Sequence, residues 1–396
     1  MLSEGRKESF RSSFFAVRRA WPLPRPRLEQ LPAGGRMKTA RNARDHKTAF
    51  PAPGGTIRNR KMKTARNILI LTVLFFAASI PFGFGAIPVI FDTDMGNDAD
   101  DAMALAILNA FIDRGECDLL AVTLTKSSPN AAPYIKMLNT YMGHPDIPIG
   151  MTSQQRTPED GKYLAAIFEL KKEDGTPLFP KPEVKTVPAV TLMRQKLAEA
   201  QDSSVVMIQV GFSTNLAELL DSPADAVSDL TGRELVSKKV RLLSTMFGAF
   251  NDRYQAEYNV VNDVPAARKL LEEWPTPIWF SGFEIGEAIT ISQTQMDRTF
   301  VADPDHPLCR TFALYRKGWD EFQPTFDVTS VLLAIRPYQG YFTLSPKGKA
   351  RVNGDNVTVF EEDSEKEHQY ILDVTAEQNA RVQEAFLYLM SQPKLK

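Results

Sequence analysis

Five aspartates fall within ten positions: Asp92, Asp94, Asp98, Asp100 and Asp101. Carboxylates this crowded repel one another, and a hard divalent cation with oxygen ligands is the usual remedy. The apolar run Val89-Ile90-Phe91 precedes them and reads as a buried strand. Met103, Ala104, Ile107, Leu108 and Phe111 follow at helical spacing. Asp92 and Asp94 therefore close a strand. Asp100 and Asp101 occupy the first turn of a helix, where the positive end of the helix dipole favours carboxylates. Capping alone would account for one aspartate. Two in succession, opposite two more at the strand end, are over-provided for capping and point to a cation. Ligation by oxygen alone favours Ca2+ or Mg2+.

Composition narrows the other possibilities. A chain of 396 residues can bury a large core, and its net charge of −1 gives no basic excess to suggest nucleic acid as a partner. Cys117 and Cys309 lie far apart; they permit one disulfide without arguing for it and exclude a cysteine-rich zinc site. His46, His144, His306 and His368 show no paired spacing, which argues against a histidine-based metal site.

The elements that must position the aspartates emerge along the chain. Residues 1–61 are rich in Arg, Lys, Pro and Gly without apolar periodicity and read as a disordered or wrongly translated upstream extension. The segment Met37-Lys38-Thr39-Ala40-Arg41-Asn42 recurs as Met62-Lys63-Thr64-Ala65-Arg66-Asn67. The second copy leads into an apolar run from Ile68 to Ser79, so residues 62–86 read as a signal peptide, with cleavage after Ser79 or Ala86 and Met62 as the true start. The mature chain is then expected to be exported, periplasmic or extracellular, with no stable membrane association once the leader is removed.

From residue 87 to 396 strands alternate with helices, which predicts an α/β domain: an open, mixed, mostly parallel sheet flanked by helices. Strands are expected at Leu119–Thr125, Ser203–Gly211, Val240–Met246 and Thr276–Phe280, with helices at Pro133–Met142, 188–201, 264–273, 283–290, Phe326–Arg336 and Ala376–Met390. Residues 151–187 are polar and Pro-rich and read as an insertion or active-site loop. Tyr338–Leu344, Val357–Phe360 and Tyr370–Asp373 read as a small antiparallel excursion. In such sheets ligands bind outside the carboxyl ends of the strands. That end collects the Asp loop, the Ser213-Thr214-Asn215 turn and the Met246–Asn251 turn.

These motifs together resemble the inosine–uridine-type nucleoside hydrolases over nearly the whole of residues 86–340. The resemblance rests on Asp92-Thr93-Asp94-x-Gly96 with Asp100-Asp101-Ala102, on Asn130 nine residues before Asn139, and on Gly211-Phe212-Ser213-Thr214-Asn215. It continues through Met246-Phe247-Gly248-Ala249, Ala256-Glu257-Tyr258-Asn259 with Asp263, and Asp327 opening a late helix. It implies a nucleoside-hydrolase-like (Rossmann-like) fold, a bound Ca2+, and cleavage of a ribonucleoside, or a nucleoside-like N-riboside, to base and ribose. Calcium can chelate two ribose hydroxyls and a water at once, fixing all three. Asp94 is the implied catalytic base as well as a ligand. Asp101, the Thr214 carbonyl and Asp327 complete the metal set. Asp92, Asp100, Asn130, Met246, Asn251, Glu257 and Asn259 are the implied substrate-binding residues. The expected partner is a small-molecule nucleoside, and a homodimer or homotetramer is compatible.

Three departures from the family pattern stand out. The loop between Asp94 and Asp100 is two residues longer, so Asp98 competes as a ligand. Phe326 stands where the family frequently has a catalytic histidine. The segment from Met246 to Glu257 is short, so spacing alone places Asn251. Trp279, Trp319, Phe250, Tyr254 and Phe326 are candidates for stacking on a base. Two alternatives share the aspartates: a Mg2+-dependent Asp-x-Asp phosphatase with Asp92 as nucleophile, and a calcium-dependent sugar-binding protein that has lost turnover.

Overall fold

The run Ile87–Thr93 is apolar without alternation because it is buried on both faces: Val89 and Phe91 face one half of the core, Ile90 the other. In the computed structural model, which describes residues 85–250, 255–316, 322–362 and 365–392, this strand, β1, is central to the sheet. The duplicated segment and all but the last two residues of the expected signal peptide lie outside those residues, as do Asn251, Tyr254 and Trp319. The described residues belong to one unit, Pro81–Lys396.

After β1 the chain forms α1 (Asp100–Asp113), β2 (Cys117–Leu124), α2 (Ala131–Met142) and β3 (Ile149–Met151). Then come β4 (Val187–Pro188), α3 (Ala189–Glu199), β5 (Val205–Gln209), α4 (Thr214–Asp221), α5 (Gly232–Lys239) and β6 (Val240–Met246). Next are α6 (Tyr258–Asn262), α7 (Val264–Glu273), β7 (Ile278–Ser281), α8 (Phe283–Ala288), β8 (Thr290–Ser292) and α9 (Gln293–Thr299). The last third holds α10 (Pro307–Arg316), β9 (Phe322–Pro324), α11 (Phe326–Ile335), β10 (Gly348–Val352), β11 (Thr358–Glu362), β12 (His368–Tyr370) and α12 (Ala376–Met390).

Ten of the described strands join one sheet in the order β11-β10-β12-β7-β6-β5-β1-β2-β3-β4. From β4 to β12 neighbouring strands run parallel; β10 turns antiparallel against β12 and β11. The mostly parallel mixed sheet flanked by helices is thus the architecture expected from the alternation. Helix α1 is apolar on nearly every side because it packs against β2, α11 and α12 at once. Burying Ile107, Leu108 and Phe111 there stabilises the fold by about 1.5–3 kcal/mol each.

Two expectations need correction. Tyr338–Leu344 forms no strand: Tyr338 is 93 % exposed and only Leu344 bridges to Ile371. The strand that replaces it, Gly348–Val352, turns only Ala350 and Val352 inward, too weak an apolar signal to see in sequence. The insertion 151–187 carries a short 3-10 turn at Ala166–Glu169 and is more buried than its composition suggests. Its Tyr163, Leu164 and Ile167 are fully buried, and Gly161, at φ +63°, lies so close that an added Cβ would meet the Gly96 carbonyl oxygen at 2.0 Å. The insertion therefore packs onto the Asp loop itself. No helix among the described residues is long and apolar enough to cross a membrane. Cys117 and Cys309 are both free and buried.

Candidate active site

Parallel strands deliver side chains to their carboxyl ends, and here they deliver acids. Asp92, near the end of β1, is buried; Thr123 Oγ1 at 2.6 Å and Asn215 Nδ2 at 2.8 Å donate to its Oδ1, while Oδ2 is buried without a hydrogen-bond partner. Burial pushes this carboxyl up to about 7, against the pull of its two donors. Gly211 allows the close approach that shapes this end of the sheet: a Cβ there would lie 2.7 Å from the Asp94 amide nitrogen and 2.4 Å from Thr125 Oγ1.

The lengthened loop ends on α1 with Ala99 at the cap and no side-chain cap. The two first-turn carboxylates reach elsewhere. Asp101 Oδ1 accepts from the Thr93 hydroxyl, and Asp100 Oδ2 accepts from the backbone N–H of Asp327, at 3.0 Å, where α11 begins. Asp98, Asp100, Asp101 and Asp327 each bring a carboxylate oxygen within 4.8 Å of the others. Asp100 Oδ1 has no hydrogen-bond partner and is buried. Burial first, then mutual repulsion, pushes Asp98 up to about 7 and Asp101 and Asp327 well above the carboxylate range.

Asp94 is buried beside this group. Asn97 Nδ2 donates to its Oδ2, and Lys126 Nζ donates to Asn97 Oδ1 at 2.9 Å. Burial pushes Asp94 up to about 6, with the Lys126 charge and the Asn97 bond pulling the other way. Lys126 is itself 1 % exposed; burial lowers its pKa, and Asp94, Glu159, Asp101 and Asp160 oppose that. Sequence reading missed this lysine. The signal was a charged residue directly after the buried run of β2, at the strand end where ligands bind.

The other expected residues fall into two groups. Thr214 opens α4, buried, its hydroxyl donating to Asp263 Oδ2 at 2.6 Å; Asp263 in turn pairs with Arg156 of the insertion at 2.9 Å. Glu257 is buried and caps α6: its carboxylate accepts from the N–H groups of Gly248 (3.0 Å), Asn259 (2.8 Å) and Val260 (3.3 Å). Burial pushes Glu257 up to about 7, and its charge is among those raising Asp327. Asn259 Nδ2 ties the carbonyls of Val210 and Met246 together, at 2.9 and 3.2 Å. The second group lies under the insertion: Asn130 Nδ2 donates to Asp160 Oδ2 at 2.7 Å, and Lys181 donates to Asn130 Oδ1. The structure describes no position for Asn251.

Among the aromatic candidates, Phe250 is buried in the core, stacked on Tyr370 at 4.7 Å. Trp279 is partly buried against the core. Phe326 is half-buried beside the pocket and stacks on Phe283 at 5.1 Å.

The donor set fits a cation. It is all oxygen, buried apart from half-buried Asp98, mutually repulsive, and retains unpartnered atoms on Asp92 and Asp100. Fold and pocket together define an α/β protein with an acidic pocket, able to hold a divalent metal, at the carboxyl ends of its parallel strands. Residues 89–386 match the inosine-uridine preferring nucleoside hydrolase family, and the chain belongs to that family. A pyrimidine-specific ribonucleoside hydrolase RihA from Klebsiella pneumoniae is 26 % identical over 220 residues, a match covering 54 % of this chain and 65 % of that protein. The matched part thus falls just short of two thirds of the relative's length. A solved plant nucleoside hydrolase superposes with a TM-score of 0.59 at 20 % identity, covering 78 % of this chain and 99 % of that one. A purine-preferring ribonucleoside hydrolase from Gardnerella vaginalis gives 0.59 at 16 %, covering 77 % and 98 %. At these identities the structural likeness speaks for the fold.

Proposed function

We propose that this chain hydrolyses the N-glycosidic bond of a ribonucleoside, or a nucleoside-like N-riboside, releasing base and ribose, with Ca2+ as its cofactor. The observation that carries the reading is the convergence of Asp98, Asp100, Asp101 and Asp327 beside Asp94, in a chain of this family. Asp98, Asp100, Asp101 and Asp327 would hold the cation with Asp94, and the Thr214 carbonyl is a further proposed donor. When bound, the cation would fix the ribose hydroxyls and a water against the pocket floor.

The chain's own groups do the rest. Asp94 has one oxygen engaged by Asn97; its other oxygen is the proposed acceptor for the proton of the attacking water. The C1′–N bond breaks with its electron pair leaving on the base, cationic character develops at C1′, and the water oxygen bonds there. The unpartnered Oδ2 of Asp92 is suited to accept from a ribose hydroxyl. Glu257 and Asn259 are proposed at the far end of the sugar. Asn130 could bind ribose only by exchanging one present partner, Asp160 or Lys181. Phe326, not a histidine, precedes Asp327, so that position supplies no proton to the leaving base. The base is proposed to stack on Phe326 and take its proton from water. Export is also proposed, on the leader pattern of residues 62–86.

The test is ribose release by calcium-loaded protein from purine, pyrimidine and nicotinamide ribosides. Release abolished in Asp94→Asn supports the reading. No release from any of them, with wild type and Asp94→Asn alike, overturns it, and ribose binding without release would favour a sugar-binding protein. The family match disfavours the phosphatase reading.

A further inference from the structure

Lys126 is almost wholly buried, its ammonium 2.9 Å from Asn97 Oδ1, and the other end of that amide donates to Asp94 Oδ2. The amide has one possible orientation between these two groups. An ammonium only donates, so it must face the amide oxygen; a carboxylate only accepts, so it must face the NH2. Asn97 lies within the stretch that lengthens the Asp loop. That loop is held from outside by Gly96, against which Leu164 and Gly161 of the insertion pack, and by Met95, whose sulfur accepts from Tyr163 Oη at 3.4 Å.

We propose that Lys126 is a positioning residue for Asp94, acting through Asn97: the lysine fixes the amide, and the amide fixes which carboxylate oxygen faces the pocket. The catalytic consequence rests on the hydrolase reading above. The relay itself does not, because it is a property of three side chains. The alternative is that Lys126 only balances the charge of surrounding carboxylates, in which case Asn97 is dispensable.

Two measurements separate these. The first is solvent exchange of the Asn97 side-chain NH2 by NMR on the full chain. The relay requires protected protons in wild type and in Lys126→Arg, which also only donates, and loss of protection in Lys126→Met. The second is kinetics. Lys126→Met and Asn97→Ala should each lower kcat about tenfold to a hundredfold, the usual effect of removing a group that orients a site residue. KM should stay within about twofold, the double variant should be no slower than the slower single one, and Lys126→Arg should recover most of the loss. Wild-type kcat in Asn97→Ala, or losses that multiply in the double variant, overturns the proposal. So does an unprotected Asn97 amide in wild type, a result that needs no folded variant. Should wild type release no ribose from any riboside, the hydrolase reading fails, and amide protection alone decides the relay.

Discussion

Asp94 differs from the other carboxylates of the pocket in its partner, a neutral amide anchored by a buried cation. That arrangement keeps the carboxylate lower than its buried neighbours, at about 6 against about 7 for Asp92 and Asp98. The proposed base must be ionised to accept a proton, so on that proposal activity should rise with pH through the titration of Asp94. A bound cation favours the ionised form, which sets that inflection below 6 in the calcium-loaded enzyme. Asp94→Asn should lower kcat about a hundredfold to ten-thousandfold with little change in KM, measured by ribose release. An unchanged rate would remove Asp94 from the chemistry. The aspartates were legible in sequence because five acids within ten positions have no bland explanation together. Lys126 was not, because a single lysine at a strand end carries no pattern until Asn97 is seen to face it. Asp98 was legible only as a competitor, since a loop's length does not say which of its acids turns inward.

At the scale of elements, the Asp loop depends on a segment that looked like an appendage. Gly161 occupies a left-handed conformation where an added Cβ would meet the Gly96 carbonyl oxygen, while Leu164 packs against Gly96 and Tyr163 reaches the Met95 sulfur. Gly161→Ala adds a methyl where only 2.0 Å is free and forces an L-residue to φ +63°. We expect a loss of about 2–4 kcal/mol in denaturant unfolding, together with weaker calcium binding, because the strain falls on the loop that carries the ligands. Unchanged stability and affinity would show the insertion to be a passive cover. The regular elements were far easier to read. Strands β1 and β5 carry unbroken apolar runs because both their faces are buried, and α12 lies at the bounds expected of it. The insertion resisted because its buried contacts are made by isolated side chains on irregular backbone, which has no period. The shifted strands of the excursion resisted because β10 buries little more than an alanine and a valine.

At the scale of the whole domain, the pocket joins distant parts of the chain. Asp98, Asp100 and Asp101 come from the entry to α1, and Asp327 comes from the start of α11, which packs on α1. Without a cation this junction is electrostatically unfavourable. Asp92, Asp94 and Asp98 are raised to about 7, 6 and 7, and Asp101 and Asp327 well above the carboxylate range. The sign of the consequence follows from linkage. A carboxyl whose folded pKa lies above its unfolded value near 4 contributes stability at low pH, and that contribution is lost as pH rises through the folded pKa. Chelator-treated protein should therefore be less stable at pH 8 than at pH 5. The proposed cation would bind the ionised carboxylates of the folded state only. At a hundredfold excess over Kd it adds about 2.7 kcal/mol, equivalent to about 4 °C in Tm for a domain of this size. At pH 5 protons occupy the same oxygens and must be displaced, so the calcium-induced rise in Tm should be clearly smaller there. Asp101→Asn should behave oppositely in each condition: increasingly more stable than wild type in chelator as pH rises, because the amide cannot ionise beside Asp94 and Asp98, and nearly unresponsive to calcium. Calorimetry with and without calcium at the two pH values reads all three effects. A calcium shift equal at pH 5 and pH 8 would place the calcium away from these carboxyls, and a shift absent at both would mean that this junction is held together without a cation and that the acids serve another end.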